Sequence, residues 1–169
     1  MPPNKDLFHL PERNKFYCFQ EDKIHGFKVL DHKKQDLYEV LAKTVATRSH
    51  YRVRRIMDNV AIASIDQGQM ASTYTMKDEG QNLLATIKIL SPDEIKLEIG
   101  SNLYEGKSVV RGKQFEFRSK NNSLVLAIDK KLISLSDKYQ VSFIENFPAL
   151  VAALLPVIID DYFHSGLSV

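Results

Sequence analysis

The chain has one cysteine, Cys18, so no intrachain disulfide can staple it, and its setting reads as intracellular. It has no glycine-rich loop leading from a strand into a helix, no serine elbow and no paired-histidine helix motif. Those absences remove the common signatures of nucleotide, hydrolase and zinc-protease chemistry. The aromatics do not recur as a stacking platform for RNA, and a net charge of +2 is no polycation, so nucleic acid is not an expected partner. The opening MPPNKDLFHLPERN lacks the apolar run of a secretory signal. No segment reaches the ~20 apolar residues of a spanning helix. The expected location is cytoplasmic, peripheral to a membrane where a surface patch engages one.

What is present is concentrated at the end. Phe147 to Ile159 (FPALVAALLPVII) is thirteen residues with no polar side chain, closed by Asp160 and Asp161. A surface helix carries one apolar stripe, whereas a segment apolar on every face must be buried all round. Thirteen helical residues rise only about 20 Å, against about 30 Å of hydrocarbon. This predicts a helix over about 147–164, threaded through a soluble domain, with Pro156 bending it. With 169 residues, 44% hydrophobic and 26% charged, a single domain with a substantial core is expected.

Upstream the period is two. Runs at Lys15–Gln20, Ile24–Asp31, Leu37–Thr44, Tyr51–Ile56, Val60–Ile65, Ser72–Lys77, Leu83–Leu90, Glu94–Ile99, Lys107–Arg111, Gln114–Ser119, Ser123–Asp129 and Lys138–Glu145 read as about twelve strands. Turn residues such as Asp58-Asn59, Asp78-Glu79-Gly80, Ser91-Pro92-Asp93 and Asn121-Asn122 separate them. One-sided strands favour a closed barrel, which has no exposed edge. About eight strands can fill their own interior, so twelve leave a lumen that needs an apolar occupant. The predicted fold is mainly β: a closed or nearly closed barrel of about twelve strands at 15–169 around the buried C-terminal helix, with an extended arm at 1–14. That arm could lie along the barrel or reach a partner.

Gly26-Phe27-Lys28-Val29-Leu30-Asp31 followed by Leu37-Tyr38-Glu39-Val40, and Tyr139-Gln140-Val141-Ser142-Phe143 followed by Ala149 to Asp160, carry a resemblance to a known family. Their layout resembles the tubby C-terminal-like superfamily, most closely the LURP-one-related proteins, with phospholipid scramblases as a neighbouring family. Three features depart from the pattern. Pro156 interrupts the helix, the turn His32–Asp36 has no glycine, and Tyr51–Gly100 aligns with nothing specific, so no functional residue transfers from there.

The resemblance implies a non-enzymatic domain that holds anionic lipid headgroups, phosphoinositides in particular, through basic side chains on the barrel wall. The strongest cationic cluster is Lys43 with Arg48, Arg52, Arg54 and Arg55. On a strand, Arg52 and Arg54 share one face and Tyr51 and Val53 the other, while Arg55 would turn inward. Lys43, Arg48, Arg52 and Arg54 could hold phosphate, with guanidiniums engaging it bidentately, or could pair with carboxylates of neighbouring strands. The same alternatives apply to Lys107, Arg111, Lys113, Arg118 and Lys120, interspersed with Glu105 and Glu116.

Asp160, Asp161 and His164 are spaced for one helical side but supply at most three ligands, so no metal is expected. One aspartate should bond strand-end amides at the barrel mouth, and His164 should sit at the helix C-terminus. Cys18, between Tyr17 and Phe19, reads as a small apolar residue, and a nucleophile activated by His25 lacks a third partner. No catalytic residue or cofactor is expected. A scramblase-related lipid-handling protein and a protein-interaction scaffold that binds no lipid remain alternatives.

Overall fold

The computed structural model describes residues 10–22, 26–45, 47–110, 113–133 and 136–164. The strands are β1 (Lys15–Asp22), β2 (Gly26–Leu30), β3 (Asp36–Val45), β4 (Arg48–Arg55), β5 (Val60–Gln67) and β6 (Thr73–Asp78). They continue as β7 (Leu83–Ser91), β8 (Glu94–Ile99), β9 (Asn102–Val110), β10 (Gln114–Arg118), β11 (Leu124–Ile133) and β12 (Ser136–Phe143), followed by one helix, α1 (Ala149–His164). Each strand pairs antiparallel with its neighbours in sequence, and β1 pairs with β12 to close the barrel. No unpaired edge is left to recruit another strand. The closed twelve-strand barrel with a C-terminal helix, expected from the alternation and the terminal apolar run, is the observed architecture.

Alternation sets the two faces of the wall. On β8, Ile95 and Leu97 are buried while Glu94 is exposed; on β10, Phe115 and Phe117 are buried. Every residue from Val151 to Asp160 is buried, so α1 fills the lumen. Leu150, in the first turn, is only partly buried because it lies where the helix enters the barrel. The helix runs unbroken through Pro156. A mid-helix proline costs ~3 kcal/mol or more in an isolated helix, but here apolar wall contacts hold the turns on both sides.

The turn without a glycine is built from Asp31. Its carboxylate accepts from the backbone N–H groups of Lys33 and Gln35, both at 2.9 Å, and Lys34 takes the left-handed conformation at φ 62°. At the opposite end of β2, Gly26 has φ 107°, and a Cβ there would sit 1.9 Å from the Val40 carbonyl oxygen.

The barrel has two distinct rims. At the proximal rim, where α1 enters, Phe143 stacks on Phe16 at 5.3 Å, and Phe147 lies 5.6 Å from Tyr104. Residues 10–14 are fastened there: Arg13 pairs with Glu145 at 2.7 Å, and the Phe143 N–H donates to the Asn14 carbonyl at 3.1 Å. At the distal rim, where α1 ends, Phe163 packs 5.7 Å from Phe115. Residues 1–9, most of the predicted arm, lie outside the described residues.

Candidate functional site

Two polar arrangements stand out, one at the distal rim and one running from it down the outer wall. The inner one is built on the last turn of α1. Asp161 accepts three hydroxyl donors from the wall: Ser49 at 2.8 Å, Tyr51 at 2.5 Å and Tyr74 at 2.6 Å. Asp160, itself buried, accepts from the Tyr139 hydroxyl at 2.9 Å. Burial first, and then the bond to Asp161, pushes the Tyr51 and Tyr74 phenols well above their ordinary range, so both remain donors.

Gln67 extends the network outward. It accepts from the Ser49 N–H at 3.0 Å and donates to the Ala71 carbonyl at 2.7 Å. The described partners of the aspartates are phenols and a serine. Inward-facing tyrosines near the ends of β4, β6 and β12 reach the helix, whereas the wall's amides are engaged in the ladder. These contacts latch the helix end to the wall. His164's side chain lies outside the described residues, and no group of three or more metal-ligating side chains occurs among those described.

The outer arrangement is the basic face of β3 and β4. Tyr51 and Val53 are buried, which turns Arg52 and Arg54 outward with Arg48. Lys43 stands directly across from His50, and Glu39 across from Arg54. Arg52 pairs with Glu79 at 3.0 Å and Arg54 with Glu39 at 2.5 Å. Lys43 and Arg48 are exposed and enter no ion pair among the described residues. His50 bonds Asp66 through Nδ1 on the same face. The structure thus places all four predicted residues on one face but splits them, two held by carboxylates and two open.

Arg55 does not turn inward. The β4–β5 register shifts between Val53 and Arg54, and Arg55 pairs with Asp58 at 2.6 Å across the following turn.

In the second basic set, Lys107, Arg118 and Lys120 line a groove of about 590 Å³ with Glu105 and Glu116. Arg118 donates to Glu116 at 3.1 Å and to the Asn122 carbonyl at 3.0 Å. Lys113 lies apart on the β9–β10 turn, and Arg111 is outside the described residues. Cys18 is fully buried, and burial above all raises its thiol pKa, which leaves it unreactive. His25, its suggested activator, is likewise outside the described residues. No described helix is long and apolar enough to cross a membrane.

No known protein-family profile matches the chain. No curated protein matches it either. Similarity to solved structures does emerge. An X-ray structure of a protein from Arabidopsis thaliana matches with a TM-score of 0.65 at 14% identity, over 88% of this chain and 91% of that one. At that identity the likeness concerns the fold.

Proposed function

We propose that this is a non-enzymatic domain that attaches to an anionic lipid surface, with phosphoinositide headgroups as the favoured ligand and Lys43 and Arg48 as the principal contacts. The observation that carries this reading is the pair of exposed cations at the ends of β3 and β4 that no described carboxylate neutralises. Arg52 and Arg54 follow on the same outward face toward the proximal end of β4 and would join by exchanging Glu79 and Glu39 for lipid phosphate. The layout's resemblance to the tubby C-terminal-like superfamily and the LURP-one-related proteins supports the same ligand class. On this reading the protein works in the cytoplasm, at the inner surface of a membrane.

A protein-interaction scaffold without lipid binding is the second reading, and what favours it is that Arg52 and Arg54 already have partners within the barrel. Sedimentation with vesicles, with and without phosphoinositide and at two salt concentrations, separates the two. The wild type should sediment with anionic vesicles, less so at high salt. Changing both Lys43 and Arg48 to Ala removes about 1 kcal/mol per charge, or about thirtyfold in affinity. Absence of wild-type binding would leave the scaffold. Transfer of lipid between leaflets would instead favour a scramblase-related activity.

A further inference from the structure

We propose that the distal rim docks end-on against an anionic bilayer and sets Met70, Leu90, Val109 and Val110 into the headgroup layer. This rests on the lipid-surface reading but adds what that reading lacks: an orientation, and an apolar contribution to attachment.

Scattered surface hydrophobes are ordinary; these are grouped. Met70 is 71% exposed, Leu90 60%, Val109 59% and Val110 46%. They belong to three successive hairpins, β5–β6, β7–β8 and β9–β10, whose turns all lie at the distal rim. Backbone bonds tie these hairpins together beside the exposed side chains. The Ile89 N–H donates to the Ser72 carbonyl at 2.8 Å, next to Leu90. The Ser108 N–H donates to the Asp93 carbonyl at 3.0 Å, and its hydroxyl to the Asp93 carboxylate at 2.7 Å, next to Val109. Within the last turn, the Lys113 N–H donates to the Val110 carbonyl at 2.9 Å. The apolar side chains therefore project from a pre-ordered edge, and little ordering entropy opposes insertion.

Charge selects the partner. Lys43, Arg48, Lys88, Lys107 and Lys113 are exposed on the same arc and enter no ion pair among the described residues. Lys107 shares one groove with Leu90 and another with Val109. The acidic groups described on or beside the arc are Asp66, bonded to His50, Asp93, bonded to Ser108, Glu94, opposite Lys107, Glu105 and Glu116, which line the grooves with Lys107, and Asp129, bonded to Gln114.

The proximal rim also exposes apolar side chains, Met57, Val60 and Leu83, but these lie among Asp58, Asp78 and Glu79. Arg55 pairs with Asp58 and Arg52 with Glu79, so the charge beside these side chains is matched and not cationic, and the exposed Lys33, Lys34 and Lys120 stand on other turns of that rim. Charged side chains such as Glu39, Lys96 and Glu105 line the outer wall, so the barrel would meet lipid with its end and not with a lipid-facing belt. Apolar tips ringed by cations suit the boundary between headgroups and acyl chains.

Buried Cys18 leaves engineered cysteines free for selective labelling. An environment-sensitive fluorophore is placed at Met70→Cys, at Val109→Cys or, as a control, at Met57→Cys. Each full-length variant is mixed with phosphatidylcholine vesicles, with and without phosphatidylserine, and quenched by brominated lipids of known depth. The two distal labels should shift blue and be quenched only on anionic vesicles, and the Met57 label should stay in water.

Exchanging Met70, Leu90 and Val109 for Ser should leave the melting temperature nearly unchanged and weaken vesicle binding by roughly tenfold or more. Distal labels that remain in water on bound protein would overturn end-on docking while leaving the lipid-surface reading intact. So would quenching at Met57. Insertion that persists unchanged without Lys43 and Arg48 would support docking and remove those cations as its site. Failure to bind any anionic vesicle would overturn both.

Discussion

The two rims of one barrel close it by different chemistry. The proximal rim is sealed by rings, Phe16, Phe143, Phe147 and Tyr104, and its turns carry matched charges such as Arg55 with Asp58 and Arg13 with Glu145. The distal rim adds to its Phe163–Phe115 contact carboxylates of the helix bonded to wall hydroxyls, and its turns present apolar side chains beside exposed cations. An aromatic seal is non-directional and stabilises through buried area; a hydrogen-bonded latch fixes where the helix stops. Both rims hold the helix in place, and they differ in where exposed apolar side chains and exposed cations fall together: on the distal turns they are neighbours, whereas Met57 and Val60 at the proximal rim sit beside the Arg55–Asp58 pair.

The largest expected effect falls on both rims together. Leu154 is fully buried midway along α1, and Leu154→Asp would strand a carboxylate in the lumen at a cost of several kcal/mol, much of the ~5–15 kcal/mol of a typical domain. Expression should yield no soluble folded protein, and a folded L154D variant would refute the lumenal helix. Next comes the aromatic seal: Phe147→Ala should cost about 3–5 kcal/mol in denaturant unfolding. A loss below 1 kcal/mol would mean the rings do not close that rim.

The latch should matter less. Asp161→Ala leaves the Tyr51 and Tyr74 hydroxyls and Ser49 without their acceptor, for an expected loss of about 2–3 kcal/mol. Adding Tyr51→Phe and Tyr74→Phe to that variant should recover part of the loss, because the orphaned polar groups are then gone. Without recovery, the phenols are not bonded to Asp161. On the outer wall, Arg52→Ala with Arg54→Ala should change stability by only about 0–1 kcal/mol per pair, since both ion pairs are partly exposed. A larger loss would make these pairs part of the structure.

Acid should act on the proximal turns with the smallest effect. Hydrogen bonding to Arg55 holds Asp58 below its ordinary carboxylate range, and bonds from Asn82 do the same for Asp78. Depressed carboxyl groups contribute stability above the unfolded value of about 3.9 and lose it as pH falls through the folded value. Amide exchange in these two turns should therefore accelerate selectively below about pH 4. Exchange that is flat with pH would separate the turns from their carboxylates.

The strands were largely legible because alternation is a local property. Glu94–Ile99 matches its observed strand end to end, and the terminal apolar run already implied a filled lumen. In three strands the sequence pattern stops three residues or more short of an observed end, each for a physical reason. β9 begins at Asn102 and not Lys107, because the inward position at 106 is a glycine: a Cβ there would lie 2.5 Å from the Phe117 ring, so the ring replaces a side chain and hides the alternation. β11 continues to Ile133 through Asp129-Lys130-Lys131, which looks like a charged turn, yet Lys130 is nearly buried, its ammonium 5.8 Å from the Tyr139 ring centroid. β4 starts at Arg48 because its polar first turn pairs with β3.

The site was less legible, since its partners are distant in sequence. Asp161 meets residues 110 and 87 positions away, and nothing local to Arg52 or Arg54 announces Glu79 or Glu39. The apolar tips were hidden too, because an exposed valine in a strand pattern looks like a core valine until the closed barrel shows which positions face out.

Hydrogen–deuterium exchange with and without phosphatidylserine-containing vesicles tests the contrast between the rims most directly. Protection on the vesicle should appear in the described distal turns around Met70, Pro92 and Lys113 and be absent from the proximal turns around Lys34, Asn59 and Gln81. Protection that is equal at both rims, or confined to the proximal one, would contradict the assignment of the distal rim to the membrane.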